Sequence, residues 1–77
     1  MVNADAVIGD NVIVNSGAIV EHDCVIGDHT HIATGARLAG GVQVGPGSHI
    51  GIGAVVVRDV PDFKTVIGVP ARIQTAD

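Results

Sequence analysis

The sequence predicts an all-β fold, a parallel β-helix of hexapeptide repeats about three coils long with a C-terminal cap. Three observations lead there. Cut every six residues from Val2, the chain reads VNADAV, IGDNVI, VNSGAI, VEHDCV, IGDHTH, IATGAR, LAGGVQ, VGPGSH, IGIGAV and VVRDVP without a gap. The first position is aliphatic each time: Val2, Ile8, Val14, Val20, Ile26, Ile32, Leu38, Val44, Ile50 and Val56. The fourth position is Asp5, Asn11, Gly17, Asp23, His29, Gly35, Gly41, Gly47, Gly53 and Asp59, all drawn from the residue types best able to hold a positive φ.

A period of six is neither the 3.6 of a helix nor the simple alternation of a long strand. It fits a short strand whose fifth and first positions point inward and whose sixth and second point outward, followed by a corner at positions three and four. Fifth positions are accordingly small or β-branched, from Ala6 and Val12 to Ala54 and Val60. Three hexads, about 18 residues, complete one triangular coil. Residues 1–61 form the repeat, and residues 62–77 (DFKTVIGVPARIQTAD) are expected to fold back as a cap, with Phe63 as a plug and Pro70 at a rigid turn. Met1 enters the first hexad directly and leaves that coil end open.

Stacked coils sort the outward residues into three faces. One carries Val7, Gly9, Val25, Gly27, Gln43 and Gly45; a second Ile13, Asn15, His31, Ala33, His49 and Gly51; a third Ile19, Glu21, Arg37, Ala39, Val55 and Val57. Exposed aliphatics on so narrow a prism suggest packing against a partner.

Composition narrows the function classes. At 77 residues the chain is a single small domain that buries little apolar surface alone. Cys24 has no second cysteine to pair with, which suits a reducing compartment. A net charge of −4 and a single aromatic residue, Phe63, argue against nucleic acid as a partner. No apolar run approaches the roughly 18 residues of a membrane span, and no signal peptide precedes the first repeat. A cytoplasmic location without membrane association is the expectation.

His22 sits at a corner, and one coil later the same corner is Gly40 and Gly41. An imidazole beside an open backbone N–H is the pairing that acyl transfer needs, a base for the acceptor's proton and a donor for the oxyanion. A surface histidine at a turn is the alternative reading. Asp23 could orient His22, or could occupy its position for backbone reasons alone. Asn15 is an outward polar residue able to bind substrate or water. His31 and His49 share one face in successive coils, His29 serves the corner conformation, and Cys24 is a small core residue.

The uninterrupted hexads and the ending VVRDVPDFKTVIGVPAR resemble the bacterial hexapeptide-repeat acyltransferases. The stretch NSGAIVEHDCVIGDHTHIATGARLAGGV is similar to their sugar-modifying branch, which includes sialic acid O-acetyltransferase-like proteins and the bacillosamine N-acetyltransferase. The resemblance implies a left-handed coil, a homotrimer with sites between neighbouring prisms, and acetyl transfer from acetyl-CoA to an amine or hydroxyl of a sugar or sugar nucleotide. It places the general base at His22, with Asp23, Asn15 and the Gly40 amide beside it, and His31 near the acetyl group. Coenzyme A would pass Ala39, Gly40, Gly51 and Gly53, with Arg58, Arg72 or Lys64 for its phosphates.

Against that family the chain reads as truncated, without the Rossmann-like domain that usually precedes the β-helix and without about one coil, roughly 18 residues, near Gly51 to Val56. Two other functions therefore stay open. One is a non-catalytic trimeric scaffold or fragment. The other is a metalloprotein resembling the γ-class carbonic anhydrases, although the spacing of His22, His29, His31 and His49 does not match that class's ligands, and no metal is expected.

Overall fold

A hexad can turn a corner of a prism only if its fourth residue bends the backbone left-handed, and the computed structural model, which describes residues 1–74, has that conformation at nearly every corner. Asp5, Asn11, Asp23 and His29 have φ between 55° and 62°, and Gly17, Gly35, Gly41, Gly47 and Gly53 between 66° and 77°. The bend lets the corner residue's N–H donate to the third-position carbonyl of the coil below. His29 N–H reaches Asp10 at 2.8 Å, Gly35 reaches Ser16 at 3.0 Å, Gly41 reaches His22 at 3.0 Å and Gly53 reaches Thr34 at 3.0 Å.

Between corners run two-residue strands: β1 (Val7–Ile8), β2 (Ile13–Val14), β3 (Ile19–Val20), β4 (Val25–Ile26), β5 (His31–Ile32), β6 (Arg37–Leu38), β7 (Gln43–Val44), β8 (His49–Ile50) and β9 (Val55–Val56). Every third strand pairs in parallel. The three sides of the prism are β1-β4-β7, β2-β5-β8 and β3-β6-β9, with register Val7↔Val25, Ile13↔His31 and Ile19↔Arg37. The coils form the left-handed parallel β-helix that the repeat and its resemblance predict. Their overall extents are 37 × 21 × 20 Å.

First and fifth positions fill the interior. Val20, Ile26, Ile32, Leu38, Ile50 and Val56 are buried, and each such side chain contributes about 1.5–3 kcal/mol when fully removed from water. Polar fifth-position residues are satisfied by carbonyls. Thr30 Oγ1 donates to Gly45 at 3.2 Å, Ser48 Oγ to Pro61 at 2.9 Å and the Cys24 thiol to Ala39 at 3.2 Å. In the lowest coil no layer packs beneath the inward Val2 and Ile8, which are exposed, and Val7 and Ile13 are exposed because they point outward.

The C-terminal region departs from expectation in three ways. The repeat does not stop at Pro61, because Val60 bridges in parallel to Val44, and β10 (Thr65–Ile67) adds to β8 with Val66 opposite Ile50. Both offsets are 16 residues, so the hexad beginning at Val56 is two residues short. Asp59 consequently does not take the left-handed corner. Its Oδ1 instead accepts the Gln43 N–H at 2.9 Å, and Phe63, with φ 56°, becomes the corner residue. Phe63 is therefore no plug, since a corner side chain points outward. It is 76% exposed and lies over Gly47, where a Cβ would collide with its ring.

The fold-back is correspondingly short. A turn over residues 68–71, with a cis Val69–Pro70 bond, leads into β11 (Arg72–Ile73), which runs antiparallel to β10. Residues 75–77 of the expected cap lie outside the described residues. No helix among those described is long and apolar enough to cross a membrane.

Gly41 separates backbone strain from packing, because its φ is +77° and a Cβ there would meet nothing within 4 Å. Gly41→Val should destabilise by about 1–3 kcal/mol, which for a chain of this size lowers the melting temperature by about 4–8 °C per kcal/mol. Gln43→Val, on an exposed strand position, should stay within about 0.5 kcal/mol of the parent. Equal thermal melts by circular dichroism would contradict the corner assignment.

Candidate active site

The corner between sheets β3-β6-β9 and β1-β4-β7 carries Ala4, His22 and Gly40 at the third position of successive coils. At this corner the His22 ring meets two features. Nδ1 lies 3.0 Å from Asp23 Oδ2, and a carboxylate only accepts, so Nδ1 carries the proton of the neutral ring and Nε2 keeps its lone pair. The other end of the ring overlies Gly40. A Cβ on Gly40 would stand 2.7 Å from both Cε1 and Nε2 of His22. Glycine therefore leaves the space in which the basic nitrogen sits.

His22 and Asp23 side chains are 67% and 63% exposed. A pair so open to solvent adds little to stability, about 0–1 kcal/mol, and its effect is to orient the ring. The Gly41 N–H is taken by the His22 carbonyl, whereas the Gly40 N–H makes no hydrogen bond among the described residues. The His22 imidazole and the Gly40 backbone thus meet at one corner, where counting in sixes places them.

The other candidates lie elsewhere. Asn15, His31 and Gly51 are on the β2-β5-β8 side, a face away from His22 within one chain. Asn15 Nδ2 is 2.9 Å from His31 Nε2. Gly51 is buried beneath Ile67, whose Cγ2 would be 2.8 Å from a Cβ at that position. Gly53 is an exposed corner with open space around it, and Ala39 is half-buried. Arg58 and Arg72 come together around a pocket of about 230 Å³ that also involves Val57, Pro70 and Ala71. Lys64 is exposed and takes no part in it.

Two features had no role in the sequence reading. His49 stacks directly on His31, for which the 18-residue spacing on an outward position was the available signal. A larger depression of about 410 Å³ lies on the β1-β4-β7 side, between Val25, Gln43, Gly45, Asp59 and Asp62. The short hexad at Val56, which has no signature in composition, sets its upper edge. Among the described residues no group of three or more His, Cys, Asp or Glu converges on one point.

The fold is a hexapeptide-repeat β-helix, and this corner holds an imidazole over an open glycine. Residues 5–40 match the family described as bacterial transferase hexapeptide (six repeats). PerB from Caulobacter crescentus, solved with CoA and GDP-perosamine, superposes with a TM-score of 0.84 at 33% identity, over 96% of this chain and 44% of its own. The acetyltransferase domain of PglB from Neisseria gonorrhoeae gives 0.70 at 32% identity, over 96% of this chain and 54% of its own. Serine acetyltransferase from the same organism gives 0.69 at 26%, over 96% and 41%. No curated protein matches by sequence. The chain carries the bacterial transferase hexapeptide repeat and shares the fold of these structures, and it spans about half or less of their length.

Gly40→Ala tests the corner. The new Cβ meets the far end of a surface side chain, so the fold should be kept, with a melting temperature within a few degrees of the parent. The His22 ring should be displaced, which imidazole NMR resonances would report. Unchanged His22 resonances would mean that the ring does not occupy the space over Gly40.

Proposed function

We propose that this β-helix transfers an acetyl group from acetyl-CoA to an amine or hydroxyl of a sugar or sugar nucleotide, with His22 as general base. The observation that carries the reading is the His22 ring held between the Asp23 carboxylate and the open Gly40 backbone. The acetyltransferase neighbours, and the CoA and GDP-perosamine bound by PerB, support the donor and acceptor classes.

Acetyl-CoA supplies the acyl thioester. His22 Nε2 takes the acceptor's proton as the acceptor's nitrogen or oxygen forms its bond to the acyl carbon, and Asp23 steadies the imidazolium. The Gly40 N–H stabilises the oxyanion developing on the acyl oxygen. As the carbon–sulfur bond breaks, His22 returns the proton to the departing thiolate. Cys24 is buried and takes no part. Two residue sets suit the donor: Arg58 and Arg72 offer two guanidinium groups to phosphates, and half-buried Ala39 and open Gly53 leave room for the pantetheine arm, whereas Gly51 lies under Ile67 and is closed to it.

In this reading Asn15 and His31 act with a His22 from another copy, because one prism holds them on different faces. The assembly is a homotrimer with its sites in the clefts between prisms. Exposed Ile13, Val25, Ile52 and Val57 supply apolar surface for it. Sedimentation equilibrium at micromolar concentration should give three times the chain mass, and a folded monomer there would sink the assembly.

His22→Ala should lower turnover by about 10²- to 10⁴-fold while leaving CoA affinity nearly unchanged, since proton removal belongs to the transition state. The measurement is thiol release from acetyl-CoA with a panel of amino sugars and sugar nucleotides, beside calorimetric CoA binding. Retained turnover in His22→Ala would remove the catalytic assignment. A parent chain that neither binds CoA nor turns over would favour the scaffold.

A further inference from the structure

Two imidazoles away from the His22 corner meet on the β2-β5-β8 side. His31 and His49 are Cα partners in adjacent coils, and their rings stack with centroids 4.7 Å apart and planes inclined by 23°. The same column continues to Ile13, in register with His31 on one side, and to Thr65, in register with His49 on the other. His31 is thus flanked along the column by an aliphatic position and by an imidazole face.

The edge of His31 is held independently. Asn15 presents its amide nitrogen 2.9 Å from Nε2, and an amide NH2 only donates, so Nε2 accepts and the proton of the neutral ring sits on Nδ1. One hydrogen bond leaves a ring free to tip about the bond axis. A second ring stacked on its face removes that freedom. The hydrogen bond selects the tautomer and the stack holds the plane, and the two are coupled: a ring released from the stack also turns about its Cβ–Cγ bond, which carries Nε2 away from Asn15 and frees the tautomer.

We propose that His49 is a positioning residue for His31: stacked from the next coil, it fixes the plane of the His31 ring while Asn15 fixes its tautomer, so that the Nδ1–H is offered in one direction. The proposal deepens the acetyl-transfer reading and rests on it for what that N–H meets, the acyl end of the bound thioester. His49 needs its ring for this task and not its nitrogens. An aromatic replacement should therefore serve, and a small one should not.

The test uses the full chain labelled with 15N at histidine, as parent, His49→Ala and His49→Phe. Long-range proton–nitrogen correlation spectra report which nitrogen of His31 is protonated, and thiol release from acetyl-CoA reports turnover. The parent should show His31 protonated on Nδ1. His49→Ala should show exchange-averaged His31 tautomers and lose about tenfold in kcat/KM for acetyl-CoA, the order of one aromatic contact, with the melting temperature little changed because His49 is exposed. His49→Phe should restore both. Unchanged His31 tautomer signals in His49→Ala, or failure of His49→Phe to restore them, would overturn the proposal. The spectra are read without turnover. A parent inactive toward acetyl-CoA with the expected tautomer response would uphold the positioning while removing the acetyl-transfer reading.

Discussion

The corner residue in left-handed conformation, its N–H bonded to the carbonyl of the coil below, is the constraint on which the rest of this structure depends. A two-residue strand has too few ladder bonds to hold its own register. The corner bonds, such as His29 to Asp10 and Gly47 to Asp28, lock each coil to the one beneath it at the point where the chain changes direction. Residues that tolerate positive φ are needed there, which is why Gly, Asp, Asn and His recur. Where the short hexad displaces that pattern, Phe63 takes the strained position and Asp59 caps Gln43 in its place.

Coils locked in register put like positions in columns, and the chemistry of the surface follows from breaks in those columns. Down the His22 corner the third-position residues alternate small and large: Ala4, His22, Gly40. The imidazole lies over the glycine because no Cβ occupies that space. Its partner Asp23 is next in sequence and is itself a corner residue with φ 62°. One residue thus serves the backbone, through its conformation, and the ring, through its carboxylate. The fold provides this orientation with a rigid backbone and without burying the pair.

The interior and the surface use polar groups for different ends. Thr30, Ser48 and Cys24 sit inside, each bonded to a carbonyl, and no buried side-chain nitrogen or oxygen among the described residues lacks a partner. These bonds offset desolvation and allow small polar residues in an aliphatic core. Outside, Asn15, His31 and His49 contact one another in water, where such contacts add little to stability. Their consequence is geometric, a fixed column of rings on one side of the prism. His22 stands at a different corner of the same prism.

The repeat determined the coil almost completely, because a β-helix is built from contacts at one fixed spacing. Inward Ile26 and Leu38, outward Gln43 and Arg37 and the corner at Gly41 follow from counting in sixes. The same counting puts His22 beside Gly40, since both occupy the third position of hexads one coil apart. Three things needed the tertiary structure. The two-residue shortfall after Val56 shows only when Val60 pairs with Val44, for VVRDVP reads as a normal hexad. Whether a small outward residue is open depends on what crosses it, and Ile67 covers Gly51 while nothing covers Gly53. The spacing placed His31 and His49 on one face, but ring orientation, and with it the stack and the Asn15 hydrogen bond, is set by side-chain rotation in three dimensions, which no spacing encodes.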